Sequence, residues 1–208
     1  LKETLFRDFC ELMPERFNNK TNGITQRRWL LKSNPGLAAL LTEAIGDGWV
    51  TDLYELRRLE PLAEDEAFRK QFLEVKRANK ERLAALAREL VGETIDPDSL
   101  FDVQVKRLHE YKRQLLNVMH ILHRYNRLKD DPEADLAPRT FLFAAKAAPG
   151  YATAKLIVKL INDLAGIVNR DPDVRRKMKV LFLPDYRVSL AERSIPASDL
   201  SEQISTAG

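Results

Sequence analysis

In Phe101-Asp-Val-Gln-Val-Lys-Arg-Leu-His-Glu-Tyr-Lys-Arg113 the hydrophobic period changes partway through. Phe101, Val103 and Val105 alternate with Asp102, Gln104 and Lys106, the period-two pattern of a half-buried strand. Beyond it, Leu108, Tyr111, Leu115, Val118, Leu122 and Tyr125 step by three and four, which predicts a helix over about 109–128 with one apolar stripe. The change falls at Lys106-Arg107. Lys106, Arg107, Lys112 and Arg113 are therefore expected at a strand's carboxyl end and in the first turn of the next helix. Open α/β sheets bind ligands at that corner. Free N–H groups and the positive end of the helix dipole also favour anions there. A cation cluster gains nothing from that dipole, so an anion, phosphate first, is the expected compensation. Spacing alone leaves a phosphate site and a plain solvated surface both open.

Nucleic acid is a poorer fit. The 208-residue chain has a formal charge of only +3 and interleaves no aromatic residues with these cations apart from Tyr111, which falls on the stripe. Its length and its 44% hydrophobic and 31% charged content suit a soluble globular protein with a real core. No apolar run approaches the roughly 18 residues of a membrane span, and the first residues do not read as a signal peptide. Cys10 is the single cysteine, which excludes an intrachain disulfide and fits a reducing cytoplasm. His120 and His123 lack a third ligand at useful spacing, so no metal site is expected. Without an initiator Met, and stopping at Ser205-Thr-Ala-Gly208, the chain reads as a piece of something longer.

Two halves are expected, a mainly helical segment over 1–95 and an incomplete Rossmann-like α/β unit over 96–208. In the first, Asn34-Pro35 marks a helix start that runs to Ile45 and ends at Gly46. Gly46-Asp-Gly48 follows a helix and lacks a third glycine, so it reads as a C-cap turn and not a dinucleotide loop. Asp52 and Glu55 have capping-box spacing, and a long helix is predicted from about Asp65 to Leu90. In the second half, strands are predicted over 101–106, 140–145 and 179–183, with helices between them and a capping box at Ser189 and Glu192. Alternating strands and helices imply a parallel sheet. Its carboxyl-end loops would bring Lys106, Arg107, Lys112, Lys146 and Arg187 to one edge. Cations from three loops favour an anion site over a solvated surface.

Several blocks resemble the α-glucan phosphorylases. They are Asn19-Lys-Thr-Asn-Gly-Ile-Thr25 with Arg27-Arg-Trp-Leu30, Ser33-Asn-Pro-Gly-Leu37, Phe101 through Arg113, Lys146-Ala-Ala-Pro-Gly-Tyr151, Asp185-Tyr-Arg-Val-Ser189 with Ala191-Glu192, and Asp199-Leu-Ser-Glu-Gln-Ile-Ser-Thr-Ala-Gly208. They run in the family's order over nearly the whole chain. Gln26 departs from the proline usual in the family.

The resemblance implies part of the C-terminal domain of a two-domain, glycosyltransferase-B-type fold. It implies an enzyme that cleaves terminal α-1,4-glucosidic bonds with inorganic phosphate and releases glucose 1-phosphate, with pyridoxal 5'-phosphate as cofactor. Carried over residue by residue, Lys106 would hold the cofactor phosphate, and Tyr186 and Arg187 would lie beside the cofactor. Arg107 and Lys112 would hold the substrate phosphate, and Tyr111 and Asn22 would bind glucose hydroxyls. In the family Ser-Thr-Ala-Gly leads into a glycine-rich loop ending in the Schiff-base lysine. No lysine of this chain is assigned that role, and the 208 residues alone are expected to be inactive. The parent is expected to be a cytoplasmic homodimer. Strand 101–106 is expected to form a sheet edge, open except for a short strand near Leu200–Ser205, and the piece is expected to associate through that edge or through the helical N-terminal segment. The alternatives are a sugar-nucleotide-dependent glycosyltransferase of the same architecture and a non-catalytic anion-binding module.

Overall fold

The computed structural model describes residues 1–20 and 23–206. Among the described residues six α-helices and four strands position the rest: α1 (Arg7–Leu12), α2 (Pro35–Ile45), α3 (Glu66–Val91), β1 (Leu100–Val105), α4 (Gln114–Asp130), β2 (Arg139–Ala144), α5 (Ala152–Val168), β3 (Met178–Leu183), α6 (Val188–Ala197) and β4 (Leu200–Ser201). The strands form one parallel sheet in the order β3-β2-β1-β4. Among the described residues no helix is long and apolar enough to cross a membrane.

Strand alternation sends side chains to opposite faces, and both faces are covered. Phe141, Phe143 and Val180 pack with Val118 and Ile121 of α4 and with Ile157, Ile161 and Leu164 of α5. On the other face Phe101, Val103, Leu142 and Leu181 pack with Leu83 and Ala87 of α3 and with Leu190 and Ala197 of α6. Helix α3 therefore shares a core with the sheet, although it lies in the segment before residue 96. A smaller cluster joins Ala38, Leu41 and Ile45 of α2 to Trp49.

Local signals explain the helix ends. Asn34 accepts a hydrogen bond from Leu37 N (3.4 Å), with Pro35 at the first helical position, and Gly46 closes α2 at φ 83°. The same Asn34 oxygen accepts from Asn79 Nδ2 (3.0 Å), which ties α2 to α3. Asp65 caps α3 through Phe68 N (3.0 Å). Asp52 accepts from Tyr54 N (2.9 Å) at the start of a 3-10 helix, Leu53–Glu64. Its expected capping-box partner Glu55 pairs instead with Arg58.

Three further expectations are corrected. Helix α4 begins at Gln114 and not near 109, because Arg113 adopts a left-handed conformation (φ 59°) after a 3-10 turn, Glu110–Lys112. The four cations thus occupy a loop ahead of α4, not its first turn. Of the stripe, Leu108 and Val118 are buried and Tyr125 packs against the core, but Tyr111, Leu115 and Leu122 are exposed, and α4 also buries Gln114, Asn117, Ile121 and Leu128. Ser189 and Glu192 form no capping box: Ser189 Oγ accepts from Arg187 Nε (3.1 Å), and Glu192 pairs with Arg28 and Lys32. The short strand expected near Leu200–Ser205 is β4, which pairs with β1 at Asp102 and Val103.

The outer edge of β3 is closed by a side chain. Asn169 Nδ2 donates to Val180 O (2.9 Å) and Asn169 Oδ1 accepts from Val180 N (3.0 Å), so one amide replaces a neighbouring strand. Asn169→Ala leaves a buried N–H and C=O unpaired and is expected to cost about 1–3 kcal/mol of stability. Denaturant unfolding of the variant checks this; an unchanged midpoint would show that water replaces the amide without cost.

Candidate functional site

Helices α4 and α5 cover one face of the sheet and α3 and α6 the other. The chain moves outward through β1, β2 and β3, then returns by α6 to place β4 on the far side of β1. The direction of winding therefore reverses between β1 and β4. Loops leaving their carboxyl ends diverge and open the crevice where such sheets bind ligands.

Lys106 is the first residue beyond β1, held by Lys106 N donating to Ala144 O (3.0 Å). Its ammonium is partly buried and donates to Glu202 O (2.6 Å) and Gln203 Oε1 (3.1 Å), both uncharged acceptors. Burial pushes this ammonium below its ordinary pKa, and the neighbouring Lys112 cation pushes the same way against the opposing pull of Glu202. Lys112 lies over the Tyr111 ring at 5.8 Å, and Tyr111 itself stacks against His109 with centroids 4.4 Å apart. Arg107 is exposed, and its carbonyl is fixed by Gln114 Nε2 (3.3 Å).

The chain after β4 runs across this loop. Thr206 N donates to Tyr111 O (2.9 Å), and Arg113 Nε donates to Ile204 O. Lys106, Tyr111 and Lys112 are thus gathered along one strip with residues 202–206. Lys146 follows β2 and joins through its carbonyl, which accepts from Leu108 N (3.1 Å). Arg187 is turned back on its own loop, bonding Asp185 O (3.1 Å) and Ser189 Oγ (3.1 Å), beside Asp185 at φ 55°. Tyr186 packs against the core on the α3 and α6 side, where burial raises its phenol above the ordinary value. Asn22 lies outside the described residues. His120 sits edge-on to Phe141 at 5.7 Å.

Sequence reasoning missed the polar layer beneath the site. Asp102 and Gln104, read as the solvated side of β1, are each 1% exposed. They face α4, where Asn117 Nδ2 donates to Gln104 Oε1 (3.0 Å) and Gln104 Nε2 donates to Lys112 O (3.3 Å). Arg139 Nη1 donates to Asp102 Oδ2 (3.1 Å). The available signal was Gln114 and Asn117, two amides at helical spacing opposite the polar positions of the strand. Burial, then the Glu202 carboxyl, push the Asp102 carboxyl up to about 7, while Arg139 pulls it down.

With this geometry in hand, comparisons point in one direction. The profile of a family described as carbohydrate phosphorylase matches residues 1–208. Glycogen phosphorylase of Bacillus subtilis (strain 168) is 59% identical over 207 residues, covering all of this chain and 26% of that protein. Glycogen phosphorylase of Synechocystis sp. is 55% identical over 208 residues, all of this chain and 24% of the relative. The muscle form of Oryctolagus cuniculus is 54% identical over 208 residues, all of this chain and 25% of the relative. The chain spans about a quarter of the length of these curated relatives.

The raised Asp102 carboxyl has a consequence for stability. The folded chain keeps a proton that the unfolded chain, with Asp near its ordinary 3.8, releases as pH rises toward about 7. The stability linked to that proton is complete below about pH 4 and is lost between there and about pH 7. Denaturant midpoints of the wild type should fall over that window relative to those of Asp102→Asn. Parallel profiles would show that Asp102 is ionised throughout.

Proposed function

The chain belongs to the carbohydrate phosphorylase family, and from that premise we propose that it forms the phosphate-binding crevice of an α-glucan phosphorylase. The whole enzyme would cleave a terminal α-1,4-glucosidic bond with inorganic phosphate and release glucose 1-phosphate. One observation carries the reading. The Lys112 cation is close enough to disfavour the charge on Lys106, at the switch point of a doubly wound sheet, and Lys106 is met there by uncharged acceptors. An anion in the crevice relieves that repulsion.

The donor set fits the phosphate end of pyridoxal 5'-phosphate. Lys106 is partly buried and fixed from two sides, as a permanent ligand should be, and would hold the cofactor phosphate. Tyr186 and Arg187 would flank the cofactor from the loop after β3. When bound, the cofactor would supply its phosphate as the acid–base partner of the substrate phosphate. Arg107, free of the core, would offer its planar fork to the substrate phosphate, and Lys112 would add a second charge. The Tyr111 hydroxyl would meet a hydroxyl of the transferred glucose, with the His109 ring setting its orientation. Asn22 is proposed for a second glucose hydroxyl. The reading also assigns the whole enzyme to the cytoplasm and to a homodimer.

Phosphate-dependent release of glucose 1-phosphate by the full-length protein tests this, and an absolute requirement for a sugar nucleotide would overturn it. Within that protein, Arg107→Ala should raise the barrier to phosphorolysis by about 2–4 kcal/mol, read as kcat/KM for phosphate. Glucan binding should change little, and Arg107→Lys should recover only part of the loss, because a point charge cannot replace a bidentate fork. Unaltered phosphate kinetics in Arg107→Ala would remove this residue from the site.

A further inference from the structure

We propose that Asp102 and Glu202 act as a positioning pair for Lys106: a carboxyl–carboxylate hydrogen bond beneath α4 pins the end of β4 to β1 and so fixes the carbonyl that holds the Lys106 ammonium. This rests on the reading of Lys106 as the ligand of the cofactor phosphate.

The geometry starts from Asp102. Its carboxyl is buried, one oxygen accepts from Arg139, and the other, Oδ1, has no partner. An unpaired buried carboxylate oxygen is costly. Leu200 is the register partner of Asp102, so Glu202, two residues further along, projects to the same face of the sheet. That face carries Asp102, whose carboxyl the Glu202 charge pushes toward its protonated form. Two carboxylates are both acceptors and cannot bond to each other. One shared proton converts the contact into an O–H donating to an oxygen and offers Asp102 Oδ1 the donor it lacks.

Burial favours keeping that proton, while Arg139 from β2, 3.1 Å from Asp102 Oδ2, pulls the other way. From α4, Arg124 leaves its Nε buried without an acceptor, and His120 is held toward its neutral form by burial, then by Arg124 and Arg139. A second negative charge would therefore sit in a dry site with one cation at hydrogen-bonding distance.

Glu202 links this pair to the crevice through its own backbone. Glu202 N donates to Val103 O (2.9 Å), and Glu202 O accepts from Lys106 Nζ (2.6 Å). The entry to β4 is held separately: Asp199 Oδ2 accepts from Lys80 Nζ (2.6 Å) and from Phe101 N (2.7 Å). With only two paired residues in β4, Glu202 holds the end of the strand to β1, and Arg113 and Tyr111 hold the chain beyond it at Ile204 and Thr206. Ionising both carboxyls sets like charges against each other there, lifts Glu202 from β1 and withdraws its carbonyl from Lys106.

The test uses the full-length protein loaded with pyridoxal 5'-phosphate. Cofactor retention, read by its absorbance during dialysis, should weaken as pH rises through about 7 in the wild type. Glu202→Gln, whose amide donates to Asp102 at any pH, should flatten that dependence. Glu202→Ala should weaken retention about tenfold at every pH while leaving the KM for glucan in place. Infrared difference spectra should show a protonated-carboxyl C=O band at pH 6 that disappears in both Asp102→Asn and Glu202→Gln. The band is independent of turnover. If the wild type lacks phosphorolysis but shows the band and the pH-dependent retention, the proposed function fails and the pair stands. If the wild type is active, but no band is seen and Glu202→Gln follows the wild-type pH profile, the pair is refuted and the function stands.

Discussion

The contact on which the site depends is the polar seam between β1 and α4. A parallel strand covered on both faces ordinarily carries apolar side chains throughout. Here one side of β1 offers Asp102 and Gln104, and α4 answers with Gln114 and Asn117. The amides spend their donors in a particular order. Asn117 holds Gln104, Gln104 holds the carbonyl of Lys112, and Gln114 holds the carbonyl of Arg107. Two loop carbonyls are thereby tied to a rigid strand and a rigid helix. The loop that carries the cations is consequently fixed from below, and its side chains are left free to face a ligand. Leucines at those positions would bury as much area but would leave the loop carbonyls without donors.

Charge in the crevice follows from the same economy. Lys106 could have been neutralised by an adjacent carboxylate, which would have closed the site to anions. Instead it meets a main-chain carbonyl and an amide oxygen, and Arg113 likewise meets the Ile204 carbonyl. Dipoles orient a cation without cancelling its charge. Asp199 is paired with Lys80, and Glu202, whose charge pulls on Lys106, meets the ammonium through its carbonyl. The segment after β4 therefore steers the cations while leaving the field of the crevice positive.

Much of this was legible in the sequence. The three longer strands lie within a residue of their expected ends because each is a short apolar run or a strict alternation bounded by turn residues. Asn34-Pro35 and Gly46 set the limits of α2 as capping chemistry predicts. Placement of cations after successive strands followed from the strand–helix alternation alone. The start of α4 was not legible, since nothing in Glu110-Tyr-Lys-Arg113 announces that Arg113 takes a left-handed conformation. Burial of Asp102 and Gln104 was missed for a related reason. Alternation identifies two faces, but it does not reveal whether the polar one meets water or another polar surface. At Ser189 and Glu192 the spacing of a capping box was present, yet distant cations, Arg28 and Lys32, compete successfully for Glu192.

The two sheet edges are managed in different ways, and the difference bears on where the site lies. Beyond β3 the edge is blocked by Asn169, whose amide occupies both hydrogen-bonding groups of Val180. Beyond β1 the neighbour is β4, two residues long and anchored by side chains at either end. A long ladder would have bound β4 rigidly and carried its backbone past the crevice. The two-residue ladder ends at Val103, short of the end of β1 at Val105, and the following carbonyls of Glu202 and Ile204 accept from Lys106 and Arg113. The brevity of β4 is thus what turns main-chain acceptors toward the cations, and the short strand and the positive crevice are one arrangement.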